Sequence, residues 1–289
     1  MPPFAALPVE LVRDILELAA EGDLATSTTL TRVNRAVKSW IEPALYETVV
    51  LESASALSSF SAVLEQRPRL AAHVKHLGLI APGPIPTVHR ILHACARVPS
   101  LACGFSLPSY ATQFAGEPPL ALAAREQHLL MSACRDGRWD SALASPYTTH
   151  LRLHIDAESW DVLSPARLAA WPALTHFAVV LSPCTPIPSA PDDIPDALLS
   201  FLRVLDELPL QVLLVQVAGG KTRKRSAVQR LRALGKENNA RRLVVEPAPV
   251  STVRQWEDTA RMGGTGAMWD SAVAEVASRK ENWAAATTS

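Results

Sequence analysis

Three short segments of this chain open alike, and that recurrence limits the fold more than any other feature. Lys75-His76-Leu77-Gly78-Leu79, Thr149-His150-Leu151-Arg152-Leu153 and Thr175-His176-Phe177-Ala178-Val179 each set a histidine before alternating residues. Each follows a proline-bearing turn, at Arg67-Pro68-Arg69-Leu70, Ser145-Pro146 and Trp171-Pro172-Ala173-Leu174. A period of two is the mark of a strand with one buried face. If Leu77, Leu101, Leu151, Phe177, Leu213 and Leu243 are equivalent, the successive gaps are 24, 50, 26, 36 and 30 residues. The gap of 50 hides a longer or missing unit. A unit of this size is a strand plus its connection, and it buries its apolar face only by stacking on its neighbours.

The remaining patterns fill in that scheme. Strands are expected at 46–51, 73–80, 101–107, 150–155, 176–181, 211–217 and 241–245. Helices are expected at 54–66, 88–96, 120–134, 192–207, 226–234 and 269–280. Strands alternating with helices favour an α/β fold of parallel strands joined by crossovers. Within a strand, Leu151, Leu153 and Ile155 are expected to face the core, and Arg152 and His154 an open concave surface. Residues 81–86, 108–119 and 182–195 read as loops, and 284–289 as a disordered tail. Trp269, Val273 and Val276 form the stripe of a terminal helix expected to cap the last unit.

Residues 7–50 are of another kind. Pro8 suits a helix start, because it has no N–H to leave unpaired there. Leu11, Ile15 and Leu18 recur at helical spacing, with Val12 and Leu16 beside them. Gly22-Asp23 ends that helix, and Asp23 is a candidate N-cap for the next. Residues 24–32 are rich in Thr and Ser, and Val33, Val37, Trp40 and Ile41 then resume a helical pattern up to Pro43. Three short helices cannot bury their apolar faces alone, so they lean on each other, on the rest of the chain or on a partner. The chain thus divides into a helical unit, 1–50, and an α/β region, 51–289.

Composition narrows the function. Lys+Arg and Asp+Glu both number 28, so there is no basic excess of the kind a nucleic-acid binder carries. Cys95, Cys103, Cys134 and Cys184 have no zinc-ligand spacing and read as buried or semi-buried thiols of a reducing compartment. The N-terminus lacks the pattern of a signal peptide, and no run of 18 apolar residues occurs, so cytoplasm or nucleus is the expectation, away from membranes. No nucleophile elbow, P-loop, dinucleotide fingerprint or zincin motif is found, and Gly263-Gly264-Thr265-Gly266 reads as a turn. His73, His76, His89 and His93 lie near Cys95, but no Asp or Glu completes a metal set, so they read as separate imidazoles. Lys221-Thr222-Arg223-Lys224-Arg225 reads first as a solvated loop and helix start, with an import signal or an acidic partner as the alternative. No catalytic residue, cofactor or metal is expected.

Leu7-Pro8-x-Glu10-Leu11, then Ile15-Leu16, then Val33-Asn34-Arg35 and Trp40, resembles an F-box. The later units resemble the degenerate leucine-rich-repeat-like region of many fungal F-box proteins, and Gln255 to Val273 is similar to their tails. The departure is the middle segment 24–32, more polar than is usual in that family. The resemblance implies a three-helix unit followed by an irregular leucine-rich-repeat-like solenoid. It implies a substrate-recruiting subunit of a cullin–RING ubiquitin ligase of the SCF type, with no bond chemistry of its own. Leu7, Pro8, Leu11, Ile15 and Leu16 would face the Skp-type adaptor, and Val33 and Trp40 would pack the unit or extend that surface. The α/β region would hold an unknown protein substrate. The alternative is a non-enzymatic scaffold or interaction protein with no ligase role.

Overall fold

The computed structural model describes residues 7–21, 23–105, 120–130, 144–155, 164, 168–181, 196–205, 207–262 and 266–287. Helices α1 (Val9–Ala20), α2 (Leu24–Leu30) and α3 (Arg35–Leu45) lead into strand β1 (Thr48–Leu51). Helix α4 (Ala54–Gln66) and a 3-10 turn (Pro68–His73) follow, then β2 (His76–Leu79), α5 (Ile85–Ala94) and β3 (Ser100–Cys103). Strands β4 (Glu126–Leu129), β5 (His150–Ile155) and β6 (His176–Leu181) come next. Helix α6 (Asp196–Val204), β7 (Val212–Val217), α7 (Lys221–Glu237) and β8 (Leu243–Pro247) precede two last helices, α8 (Thr252–Arg261) and α9 (Gly266–Thr287).

Strand order in the sheet equals chain order from β1 to β8, and every neighbouring pair is parallel. The register carries the sequence repeat into space. Leu77, Leu101, Gln127, Leu151, Phe177, Leu213 and Leu243 stand side by side across seven strands. The gap of 50 thus holds a strand, β4, whose core position is a glutamine. A helix over 120–134 was the expectation; instead residues 120–125 are irregular, β4 follows, and 131–134 lie outside the described residues.

Gln127 explains why β4 escapes the apolar pattern. It is buried, and its Oε1 accepts from the Ser145 backbone N–H (3.1 Å), the Thr148 hydroxyl (2.9 Å) and the Trp171 indole N–H (2.8 Å). A polar side chain survives in a core when its bonds are made, and here one amide joins the β4–β5 connection to the turn before β6.

Both faces of a parallel sheet must be covered. The odd-numbered strand residues form one continuous core with Leu57, Phe60 and Leu64 of α4, Ile91 and Leu92 of α5, Phe201 of α6 and Leu231 of α7. The described crossover helices therefore serve one face. The even-numbered face is closed by the last two helices: Trp256 of α8 packs on Ala102 and Leu130, and Met268, Trp269, Ala272 and Val276 of α9 pack on Ala178, Val212, Leu214 and Val244. Gly78 makes room for this, because a Cβ there would sit 2.7 Å from the Trp256 ring.

This corrects two expectations. Arg152 does lie on the face opposite Leu151, Leu153 and Ile155, but that face is not open: Arg152 is only 1% exposed. The terminal helix lies across the face rather than over the end of the stack, and Val273 points away from it, 40% exposed. That helix also continues to Thr287, through most of the segment expected as a disordered tail, and α8 had no counterpart among the expected helices. The loop segments 108–119 and 182–195, together with Cys134, Trp139, Trp160 and Cys184, lie outside the described residues.

The open end of the sheet is blunted. Leu243 and Val245 turn their carbonyls away from β7; Arg279 of α9 donates to the first at 2.5 Å and Arg232 of α7 to the second at 3.0 Å. Pro247, the third residue in that row, has no N–H to offer another strand.

Candidate functional site

The three N-terminal helices fold around a small core. Ala20, Val37 and Ile41 are buried, with Leu16, Leu30 and Trp40 partly buried against them. Their ends are set by side-chain caps: Asp23 accepts from the Ala25 and Thr26 N–H groups, and Asn34 from the Val37 N–H. Burial is not what lowers the Asp23 pKa below the usual carboxylate range; the Thr26 hydroxyl does most of that, followed by the two backbone donors. The polar middle helix is satisfied internally. Ser27 Oγ donates to the Ala20 and Asp23 carbonyls, while Thr28 and Thr29 bond back to Leu24 and Ala25. Pro43 sits inside α3 without ending it.

This unit is fixed to the sheet. Helix α3 runs almost directly into β1. Glu42 pairs with Arg67 at 2.5 Å and with Lys38 at 3.7 Å, and Glu47 pairs with Lys75 at 2.7 Å. The Arg67 contact is the main reason the Glu42 carboxyl lies below the ordinary range.

What sets the unit apart is its outer surface. Seven of the eleven large apolar side chains that stand exposed among the described residues fall between residues 7 and 33. They are Leu7, Val9, Leu11, Ile15, Leu18, Leu24 and Val33; the other four, Tyr147, Val250, Met262 and Val273, are scattered along the chain. Helix α1 is apolar on two sides. Leu16 and Ala20 face the small core, whereas Leu11 (49% exposed), Ile15 (44%) and Leu18 (70%) form a stripe roughly 150° away around the helix. A surface helix of a self-sufficient domain needs only one such stripe. Clustered apolar surface of this kind marks a contact site.

Of the residues expected at this surface, Leu7, Pro8, Leu11, Ile15 and Val33 are exposed. Leu16 instead packs against the unit's core, and Trp40 packs there too, the first of the two roles expected of it. Val9, Leu18 and Leu24 join the exposed set; Leu18 was legible as the i+7 partner of Leu11.

A second concentration of chemistry lies under α8 and α9. His76, Ser100, Glu126, His150 and His176 form one row in register across β2 to β6, and His128 and Arg152 stand in the next. Glu126 Oε1 accepts from the Trp269 indole at 3.1 Å and lies 2.8 Å from His128 Nε2; Trp256 donates to Ser100 Oγ at 3.0 Å. Arg152 donates to Gln216 Oε1, and Gln216 donates on to Glu246 at 2.6 Å. His150 and His176 stack at 4.2 Å with the edge of Trp269 against both. The threonine before each of these two histidines reaches its Nδ1, at 2.9 and 2.8 Å.

Burial dominates the electrostatics here. It pushes the His150 pKa down to about 4, helped by His176, and His154 down to about 3, helped by Arg152. It lowers Arg152 to about 10 against the pull of Glu246 and Glu126. Burial opposes ionisation of Glu126, but the His128 charge and the hydrogen bonds from His128 and Trp269 outweigh it, and the pKa falls. The space left beside Glu126, His128 and Arg152 is about 10 Å³, room for one water molecule.

The remaining expected sites are plain. Cys95 and Cys103 are buried free thiols whose pKa values burial raises to about 11. His89 and His93 share a face of α5 with ring centres 5.1 Å apart. Among the described residues no group of three His, Cys, Asp or Glu side chains is placed to hold a metal ion, and no helix is long and apolar enough to cross a membrane. Lys221 to Arg225 form the first turn of α7. No protein-family model matches the chain, and no curated protein matches it either.

Proposed function

We propose that this chain is the substrate-recruiting subunit of a cullin–RING ubiquitin ligase of the SCF type. Residues 7–50 dock on the Skp-type adaptor in the manner of an F-box, and the α/β region, read as an irregular leucine-rich-repeat-like solenoid, presents a protein substrate. The observation that carries the reading is the second apolar side of α1. Among the described residues, Leu11, Ile15 and Leu18 belong neither to the core of the three helices nor to that of the sheet. A scaffold whose first helices only cap its sheet has no need of that stripe. The sequence resemblance names the partner, and the salt bridges Glu42–Arg67 and Glu47–Lys75 link residues 7–50 to the segment that leads into β2. Such a subunit contributes by position, raising the effective concentration of one partner near another.

The test is a pull-down of the full chain on purified Skp-type adaptor. Association that is lost on Leu11→Asp or Ile15→Asp, with an unchanged circular dichroism spectrum, supports the reading. Absence of association at micromolar concentrations overturns it and leaves the scaffold role.

A further inference from the structure

Helix α7 has a charge imbalance that the chain as a whole does not have. From Lys221 to Glu237 it holds seven Lys and Arg residues and one acid, a net +6, so in a chain of zero net charge the rest carries a net −6. Part of that charge is aligned. Lys221, Arg225, Arg232 and Lys236 fall within roughly 60° of one another around the helix, about 120° from the middle of the core-facing Ala227, Val228, Leu231 and Leu234. All four cations are exposed, as is Gln229 between them. Arg232 Nε donates to the Val245 carbonyl at 3.0 Å, so this side of α7 overhangs the β8 edge of the sheet. The three N-terminal helices join the sheet at its opposite edge, β1.

This arrangement works against the helix taken alone. Lys221 and Arg225, and again Arg232 and Lys236, are like charges four residues apart, which repel each other. Helices α1, α3, α8 and α9 each set opposite charges at that spacing, in Arg13–Glu17, Lys38–Glu42, Arg261–Glu257 and Arg279–Glu275. The four cations from Lys221 to Arg225 also stand where the helix dipole disfavours positive charge, and Gly220 supplies no side-chain cap there. Among the described residues no carboxylate pairs with Lys221, Arg225 or Lys236. An anionic partner relieves both penalties.

The shape and charge of the surface select that partner. The stripe from Lys221 to Lys236 is about 22 Å long, the reach of roughly seven extended residues. The β8 edge beside it is capped by Arg232 and Arg279, so the partner is held through its side-chain charges rather than as an added strand. Nucleic acid fits less well. It would run on past one helix into a remainder of net negative charge, and α7 has no aromatic side chain for a base to stack on. We infer that the outer side of α7 is a docking surface for a short acidic segment of a partner protein, whose Asp and Glu carboxylates lie along Lys221, Arg225, Arg232 and Lys236. This inference stands apart from the ligase reading: its assay contains no adaptor, so either can fail alone.

Fluorescence anisotropy of the full chain with a labelled heptaglutamate peptide tests it. Saturable binding is expected that weakens as salt rises and falls by about tenfold or more in the variant Lys221→Glu, Arg225→Glu, Lys236→Glu. Arg232 is left intact because it caps the edge. A second variant, Arg69→Glu, Arg97→Glu, Arg254→Glu, makes the same change in net charge at exposed positions elsewhere and should bind as the parent does. If the α7 triple variant does not fold, Arg225→Glu alone decides, with an expected loss of about threefold. Absence of binding by the parent, equal weakening by the two triple variants, or tighter binding of a seven-nucleotide DNA than of heptaglutamate would each overturn the proposal.

Discussion

Replacing Gln127 with leucine would restore the apolar residue that the repeat places at six of its seven aligned core positions. Pattern logic says that this stabilises the protein. The hydrogen bonds say the reverse. Gln127→Leu leaves the Ser145 N–H and the Trp171 indole N–H without their acceptor in a buried place, whereas the Thr148 hydroxyl keeps the Ala124 carbonyl at 2.9 Å. Each stranded donor costs about 1–3 kcal/mol. The larger apolar side chain offsets roughly 1–2 kcal/mol of that. At the middle of these ranges the two donors outweigh the offset by about 2.5 kcal/mol. With a slope of about 3 kcal/mol/M, the urea midpoint falls by roughly 1 M at unchanged slope. Tryptophan fluorescence and far-ultraviolet circular dichroism, followed through the same titration, give that midpoint. A midpoint equal to or above the parent's would refute the role given to Gln127.

Acid should loosen the sheet through its buried histidines. A histidine whose pKa is lowered by folding takes up its proton more readily unfolded, so stability is full above about pH 7 and declines as pH drops below the unfolded value near 6.5. His154, at about 3 when folded, alone removes about 2 kcal/mol by pH 5, and His76, His150 and His176 act in the same direction. Urea midpoints that stay level from pH 7.5 to 5 would contradict this. Removing the caps of the sheet edge, with Arg232→Ala and Arg279→Ala together, frees the carbonyls of Leu243 and Val245 for pairing with another chain. Sedimentation velocity should then show larger species than the parent does, and an unchanged profile counts against the edge role. The two sides of α1 and its neighbours should also separate cleanly. Ile41→Ala costs about 2–4 kcal/mol because Ile41 is fully buried, while Leu11→Asp shifts stability by less than about 0.5 kcal/mol.

The repeat was readable because its physics is local. His76, His150 and His176 recur with the strands they open, and the register sets them at matching positions. Helix α4 was legible from end to end, since Ser53 caps it and Leu57, Phe60 and Leu64 keep helical spacing. Strand β4 was hidden because its core residue is held by bonds to Ser145, Thr148 and Trp171, all distant in sequence. The cover over Arg152 was hidden for the same reason: Trp256 meets Ser100 across 156 residues, and Trp269 meets Glu126 across 143. On the exposed side of α1, spacing gave Leu11, Ile15 and Leu18 as one stripe. It could not say that the small core would form on the other side, from Leu16 and Ala20 with Val37 and Ile41, and leave that stripe in solvent.

Isothermal titration of the full chain with purified Skp-type adaptor tests the central claim most directly. The docking account predicts saturable one-to-one binding that Leu11→Asp and Ile15→Asp abolish while the melting temperature stays within a degree or two of the parent's, as expected for solvent-facing positions. Absence of binding by the parent chain, or binding that both variants retain at parental affinity, would contradict it.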